Sequence, residues 1–437
     1  MSEKSENDQI KKDKRLVETA FLFLGIGSLL PWNAIISVFD FFIYYQKDQQ
    51  PDKVFPIINF VFNLSVQIIL LCSKNLLSYK NQLFLSQYLS AIGLVLFPLV
   101  VTTFVADISY KISCGIMVFI GIANAFASSS IFGLASFFPV NNIIAVGTGQ
   151  GFAGIILNLL RYVILFFFSG QSQSDINIGA YLFFGVSGIL MIICIIYSCL
   201  LYKSKYFNET LKSKQEVVTK PPVPEETEGK LLDNNRNSIN DNEDDPEQGE
   251  KEIPKKKEEF SFFRLMIKLA DINILCAMSF ALTFMLFPGA CIKPGLFNLS
   301  IGWKINTIIF LFNLFDTIAK SLTSYLTPSK FKLYFFSIIR LGLIGSFYYT
   351  AYAEFYQTSS SDIISYLAII NVILLSMTSG FVNCYSFALA PGQVEDEWKG
   401  KAGSSVSLSL VIGICSGTFL GIVFNNLTTF PALTGKN

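Results

Sequence analysis

Long apolar runs separated by short polar breaks dominate the chain. Stretches of about 20 apolar residues, the length a helix needs to cross a bilayer, lie at roughly 17–44, 54–73, 82–106, 112–135, 143–168 and 178–202. They resume at roughly 265–289, 304–326, 332–353, 362–390 and 402–427. In lipid a helix satisfies its own backbone hydrogen bonds, so the pattern predicts an all-α integral membrane protein with about eleven spans, split six plus five. The divisions are a polar N-terminal segment 1–16, a six-helix bundle 17–202, a polar loop 203–262, a five-helix bundle 263–428 and a tail 429–437. An odd number of crossings places the termini on opposite sides. The first run is too long for the core of a cleaved signal peptide and reads as a retained span.

The loop carries Pro221-Pro222-Val223-Pro224, acidic stretches from Glu225 and from Asp241 to Asp245, and the basic cluster Lys255-Lys256-Lys257. Such composition buries too little apolar surface to offset ordering entropy, so disorder and a tethering role are expected. Lys11, Lys12, Lys14 and Arg15 precede the first span and fall on the same side as the basic ends of the loop. The positive-inside rule makes that side cytosolic and the C-terminus external. Asn298-Leu299-Ser300 then becomes an external glycosylation sequon, whereas Asn63-Leu64-Ser65 is buried in a span.

Only 15% of the 437 residues are charged and 52% are hydrophobic, against about 25% charged in soluble domains. The net charge of +1 gives no reason to invoke nucleic acid. The absence of histidine removes the usual zinc ligand and any Ser-His-Asp arrangement. The eight cysteines form no CxxC pair and read as small apolar residues. No G-x-x-x-x-G-K-[ST] sequence appears. Neither a cofactor nor a metal nor enzymatic chemistry is expected. What remains is passage of a small solute, and a monomer is the simplest expectation.

Charge inside the apolar runs narrows this further. Asp316 and Lys320 lie one helical turn apart within Ile308 to Leu326, and Asn313 precedes them on the same face. Ionisable groups in a membrane span are costly and mark substrate paths or paired interiors. Arg340 is central in its own span, with Asp316 as one candidate partner, and reads equally as a structural inter-helix clamp or a substrate contact. Asp40 and Arg161 lie nearer span ends, where snorkelling suffices. Gly149-Gln150-Gly151-Phe152-Ala153-Gly154 matches a dinucleotide pattern but opens an apolar helix; with Gly147 it reads as close helix packing. Gly413, Gly417 and Gly421 repeat that spacing. Pro31-Trp32-Asn33 in the first span combines a helix perturbation with a flat ring that can stack on a planar ligand or serve as a belt residue.

The ordered set of these motifs resembles the equilibrative nucleoside transporter family over nearly all the chain outside the large loop. Carrying the resemblance are Gly27-Ser28-Leu29-Leu30-Pro31-Trp32-Asn33, Phe132-Gly133-Leu134-Ala135, Pro139 and the run Gly149 to Gly154. Phe287-Pro288, Phe312 to Asp316, Ser379-Gly380-Phe381, Ala390-Pro391 and Ala402-Gly403 complete it. It implies a major-facilitator-like six-plus-five fold that moves nucleosides, or nucleobases, by alternating access. It further implies that Asp316 and the basic residue four later contact or frame the ribose. Lys320 stands where the family has arginine, and Ala319 where it has glycine. Lysine keeps the charge but loses the planar fork. The family's first-span tryptophan maps to Trp32 and its ninth-span arginine to Arg340. Its fourth-span glutamine, tied to base recognition, maps to Ser128, and the preceding glycine to Asn124. Those two departures bear on base preference.

Facilitated diffusion is the leading expectation. A proton-coupled symporter, with Asp40 and Asp316 as carboxylates, and a sugar or amino-acid carrier of the same architecture are the alternatives. A lipid-acting enzyme lacks any HxxxxD or DxxD cluster, and a scaffold would act through the loop.

Overall fold

The computed structural model describes residues 2–46, 49–73, 76–168, 172–219, 261–287, 289–292, 294, 296–297, 299, 301–356 and 361–429. The chain runs through α1 (Ser2–Ser37), α2 (Phe39–Gln46), α3 (Pro51–Cys72), α4 (Tyr79–Thr103), α5 (Ala106–Ala135), α6 (Val140–Phe167), α7 (Gln173–Lys203) and α8 (Lys205–Thr219). It continues with α9 (Phe262–Lys268), α10 (Ala270–Leu286), α11 (Gly289–Ile292), α12 (Ile301–Leu322), α13 (Lys330–Ile339), α14 (Leu343–Tyr356), α15 (Ser361–Leu389) and α16 (Lys399–Thr429). Among the described residues, eleven helical stretches are long and apolar enough to cross a membrane, in register with the eleven apolar runs. A 3-10 turn at Arg340–Gly342 joins α13 to α14 within the ninth. Helix α1 passes through Pro31 without ending and extends back through the lysine-rich segment to Ser2.

Each half has its own apolar core. Phe42, in the first, meets Phe55, Phe97 and Phe184 edge-on. Leu286, Ile308, Phe347 and Leu375 anchor the second. A third core spans both halves: Val17, Phe21, Phe132 and Phe138 pack in one cluster with Leu265, Tyr385, Trp398 and Val406. It lies at the end of the bundle where α7 leaves and α9 enters, called here the loop end. The two halves are therefore sealed against each other at that end.

Glycine decides how closely the helices cross. A methyl group on Gly149 would overlap the carbonyl of Leu22 in α1, and one on Gly417 would lie 2.8 Å from Cα of Ala281 in α10. Close packing of small residues is how membrane helices associate where no hydrophobic difference drives them together.

The polar connection departs from expectation at its start. Rather than lacking order from Lys203, the chain forms α8, with Phe207 fully buried and stacked on Phe138 at 5.1 Å. Phe207 and Leu211 are one turn apart and give α8 an apolar stripe that docks on the shared core. Residues 220–260, including the proline run and Lys255 to Lys257, lie outside the described residues, as do Pro288 and the Asn298 and Ser300 of the sequon.

Candidate substrate site

The polar face of α12 is the centre of the interface between the halves. Asn313, Asp316, Thr317 and Lys320 share one side of the helix, and α6 crosses antiparallel to them with its glycines in register. A methyl on Gly154 would strike the side-chain amide of Asn313. One on Gly151 would lie 3.2 Å from Cα of Thr317, with its side chain nearer still, and one on Gly147 would lie 3.7 Å from Cδ of Lys320. From α15, a methyl on Gly380 would lie 2.6 Å from the Asp316 carbonyl oxygen and 3.2 Å from its Oδ1. Three glycines of α6 and one of α15 thus leave the space that the α12 polar stripe fills.

Within that stripe Lys320 Nζ sits 2.6 Å from Asp316 Oδ2, with both side chains at most 10% exposed. The i, i+4 spacing brings the two charges together without help from another helix. The hydroxyl of Thr317 donates to the Asn313 carbonyl at 2.5 Å, and that of Ser321 to the Thr317 carbonyl at 2.9 Å, so the face is internally satisfied. The arrangement offers a hydrogen-bond-accepting carboxylate next to a donor ammonium, the complement of a neutral molecule carrying adjacent hydroxyls.

Other residues picked out in the sequence fall on the first half. Trp32 is half-buried and tilted against Phe60 at 5.1 Å, and Phe60 meets Phe284 of α10 at 6.4 Å. An aromatic row therefore connects the halves. Asn124 is buried and donates from Nδ2 to Oδ1 of Asn59 at 2.9 Å, while Ser128, one turn on, is half-buried. Asp40 and Arg161 do not merely snorkel: Arg161 Nη2 pairs with Asp40 Oδ2, tying α2 to α6.

Arg340 stands apart from this group. It is fully buried, but its partners are the Ser279 carbonyl at 3.0 Å and the Thr283 hydroxyl on α10, with longer contacts to the Leu375 carbonyl and the Thr378 hydroxyl on α15. Among the described residues it forms no direct ion pair, though Asp316 lies close enough to interact with its charge. Its hydrogen bonds make it a clamp joining α10, α15 and the ninth span, one of the roles its central position allows. Replacing Arg340 with leucine removes the bonds that tie α10 and α15 to the ninth span. The Ser279 and Leu375 carbonyls keep only the Thr283 and Thr378 hydroxyls among their side-chain donors. We expect a stability loss of about 1–3 kcal/mol, measured as a lowered thermal midpoint, with KM for substrate changed less than about twofold.

Sequence reasoning missed one feature. Asn59, Asn63 and Gln67 lie at successive turns of α3, all buried, with Gln67 Nε2 donating to Asn63 Oδ1 at 2.7 Å and Ser407 of α16 donating to Gln67 Oε1 at 3.1 Å. The i, i+4, i+8 amide spacing is present in the sequence, where Asn63 reads only as part of a sequon. Gln150 of α6 likewise donates to the Ser28 hydroxyl of α1 at 3.3 Å.

Comparison with known proteins places these helices. A family model described as nucleoside transporter matches residues 114–426, more than half the chain. The chain belongs to the nucleoside transporter family. It is similar to equilibrative nucleotide transporter 1 of Arabidopsis thaliana, at 23% identity over 92% of this chain and 84% of that protein. It is also similar to equilibrative nucleoside transporter 2 of Homo sapiens, at 25% identity over 97% of this chain and all of that protein. Among solved structures, the major facilitator superfamily proton:xylose symporter XylE superposes with a TM-score of 0.61 at 12% identity, covering 96% of this chain and 89% of that one. FucP in its outward conformation gives 0.54 at 14% identity, covering 95% and 98%. These two likenesses establish a major-facilitator fold for this family member. It is a multi-pass membrane transporter of six plus five helices.

Proposed function

We propose that this transporter carries nucleosides by alternating access and facilitated diffusion, with Asp316 accepting hydrogen bonds from ribose hydroxyls. The observation that carries the reading is the buried Asp316–Lys320 pair, set between α6 and α15 where the two halves meet. Lys320 frames the sugar, Asn313 extends the polar face, and Trp32 offers a ring for the base. Asn124 and Ser128 border the base end, and Arg340 supports the second half behind the site. Family membership and the names of the relatives support the substrate class.

Asp40 and Asp316 are each ion-paired, with Arg161 and Lys320 respectively. Neither is a lone carboxylate awaiting a proton, which favours uncoupled movement. The basic N-terminal segment puts the loop end in the cytosol and the C-terminus outside; the plasma membrane and a monomer complete the reading. No chemistry on the substrate is assigned.

The test is uptake of labelled adenosine, inosine, uridine and hypoxanthine in transport-null cells with and without a protonophore. Saturable nucleoside uptake indifferent to the protonophore is expected. Uptake that collapses with the proton gradient overturns the uncoupled mechanism, and none of the four being carried overturns the substrate class.

A further inference from the structure

The loop-end seal contains a charged contact that the substrate site does not explain. Lys401 lies in the first turn of α16, where a cation is disfavoured by its own helix dipole. Its ammonium reaches across to the other half and donates to three carbonyls at the end of α3: Leu70 at 2.8 Å, Leu71 at 3.4 Å and Ser73 at 2.8 Å. The last carbonyls of a helix have no partner within the helix and carry the negative end of its dipole. Lys401 therefore caps a helix of the opposite half, which accounts for a lysine at a position that its own helix disfavours.

Its neighbours on α16 meet the first half through small side chains, neutral hydrogen bonds and the shared apolar core. Gly400 lies against the Tyr79 hydroxyl and the Phe137 ring, and Gly403 against the Phe132 carbonyl and Ser136. Ser404 meets Ser129 of α5, hydroxyl to hydroxyl, at 3.3 Å. These contacts are apolar or neutral, so on this face of α16 it is Lys401 that brings charge to the junction. An ion pair, Lys214 of α8 with Asp396 at 3.3 Å, is about one-third exposed on both sides, and exposed pairs hold little. The α16 contact must part whenever the substrate site opens toward the loop end.

We propose that Lys401 is a gating residue of the transport cycle: docked on the end of α3, it holds the loop end shut, and it must undock before substrate can leave to that side. The role rests on the alternating-access reading but not on which solute is carried. Loss of the ammonium shifts the resting population toward the state open at the loop end.

The test reads that population directly. In full-length protein in proteoliposomes, Ser129→Cys with Ser404→Cys places two thiols across the seal, and mild oxidation followed by mass spectrometry gives the rate of disulfide formation. Adding Lys401→Met is expected to slow cross-linking about tenfold, the size of a lost charge-assisted hydrogen bond, and Lys401→Arg restores most of it. Lys401→Gln, which keeps a donor without the charge, falls between and serves as the second variant if the methionine variant is poorly made. Cross-linking at the parent rate in Lys401→Met or Lys401→Gln overturns the proposal, as does failure of arginine to rescue. A purely structural lysine would lower protein yield or thermal midpoint and leave the cross-linking rate of the assembled protein unchanged. Because no substrate is needed, a failure of nucleoside uptake leaves this readout intact, and the two ideas fail separately.

Discussion

Asp316→Ala is expected to reduce nucleoside uptake at least about a hundredfold while the protein still reaches the membrane. In the proposed role the carboxylate accepts from the ribose hydroxyls, and hydrogen bonds to a charged group contribute about 1.5–3 kcal/mol each. Removing it also strands the Lys320 ammonium in a space lined by glycine and Cys384, with no carboxylate within its own helix. An unpaired buried charge is the costlier half of that change. The double variant Asp316→Ala with Lys320→Met, which removes both charges, is therefore expected to recover protein yield without recovering uptake. Surface labelling and uptake per surface copy separate the two effects. Uptake near the parent level in correctly placed Asp316→Ala would remove Asp316 from the site.

The second large effect is expected at Gly151. Valine there would drive its Cβ into the side chain of Thr317, whose Cα already lies 3.2 Å from where that Cβ would stand. Thr317 directly follows Asp316, so pushing α12 from α6 displaces the ion pair with it. Overpacking costs about 1–3 kcal/mol, and a misplacement of about 1 Å at a binding site costs far more in function than in stability. We expect uptake to fall more than about tenfold and the thermal midpoint to drop by only a few degrees. Gly188, whose added methyl would meet nothing within 4 Å, is the control: Gly188→Val should leave uptake unchanged. Equal loss at both positions would show that the α6–α12 crossing has no special role.

How much of this was legible beforehand depends on how local the determinant is. The spans were, since a membrane helix must be apolar along its length and its own backbone bonds need no partner. So was the Asp316–Lys320 pair, which helix geometry alone fixes. Close packing at Gly147, Gly151 and Gly154 was also readable, but their partners on α12 were not, because an antiparallel crossing has a register that only the fold sets. Arg340 shows the same limit more sharply. A buried guanidinium needs acceptors, and Asp316, a carboxylate inside the preceding span, is one candidate that the sequence offers. Instead the bend at Arg340–Gly342 directs it to the hydroxyls and carbonyls of α10 and α15. Helix α8 is hard to read from sequence because its few apolar residues are diluted in a polar stretch, although Phe207 with Tyr206 and Leu211 packs on the shared core. Nothing in the sequence sets Lys401 apart from other lysines near span ends, because its partners depend on where the end of α3 lies in space.

The most direct measurement of the central claim is counterflow with purified protein in proteoliposomes. Vesicles preloaded with unlabelled uridine should take up labelled uridine faster than empty vesicles, transiently exceeding equilibrium, and Asp316→Ala vesicles should show no overshoot. Overshoot with xylose or an amino acid in place of the nucleoside, or an undiminished overshoot in Asp316→Ala, would contradict the account.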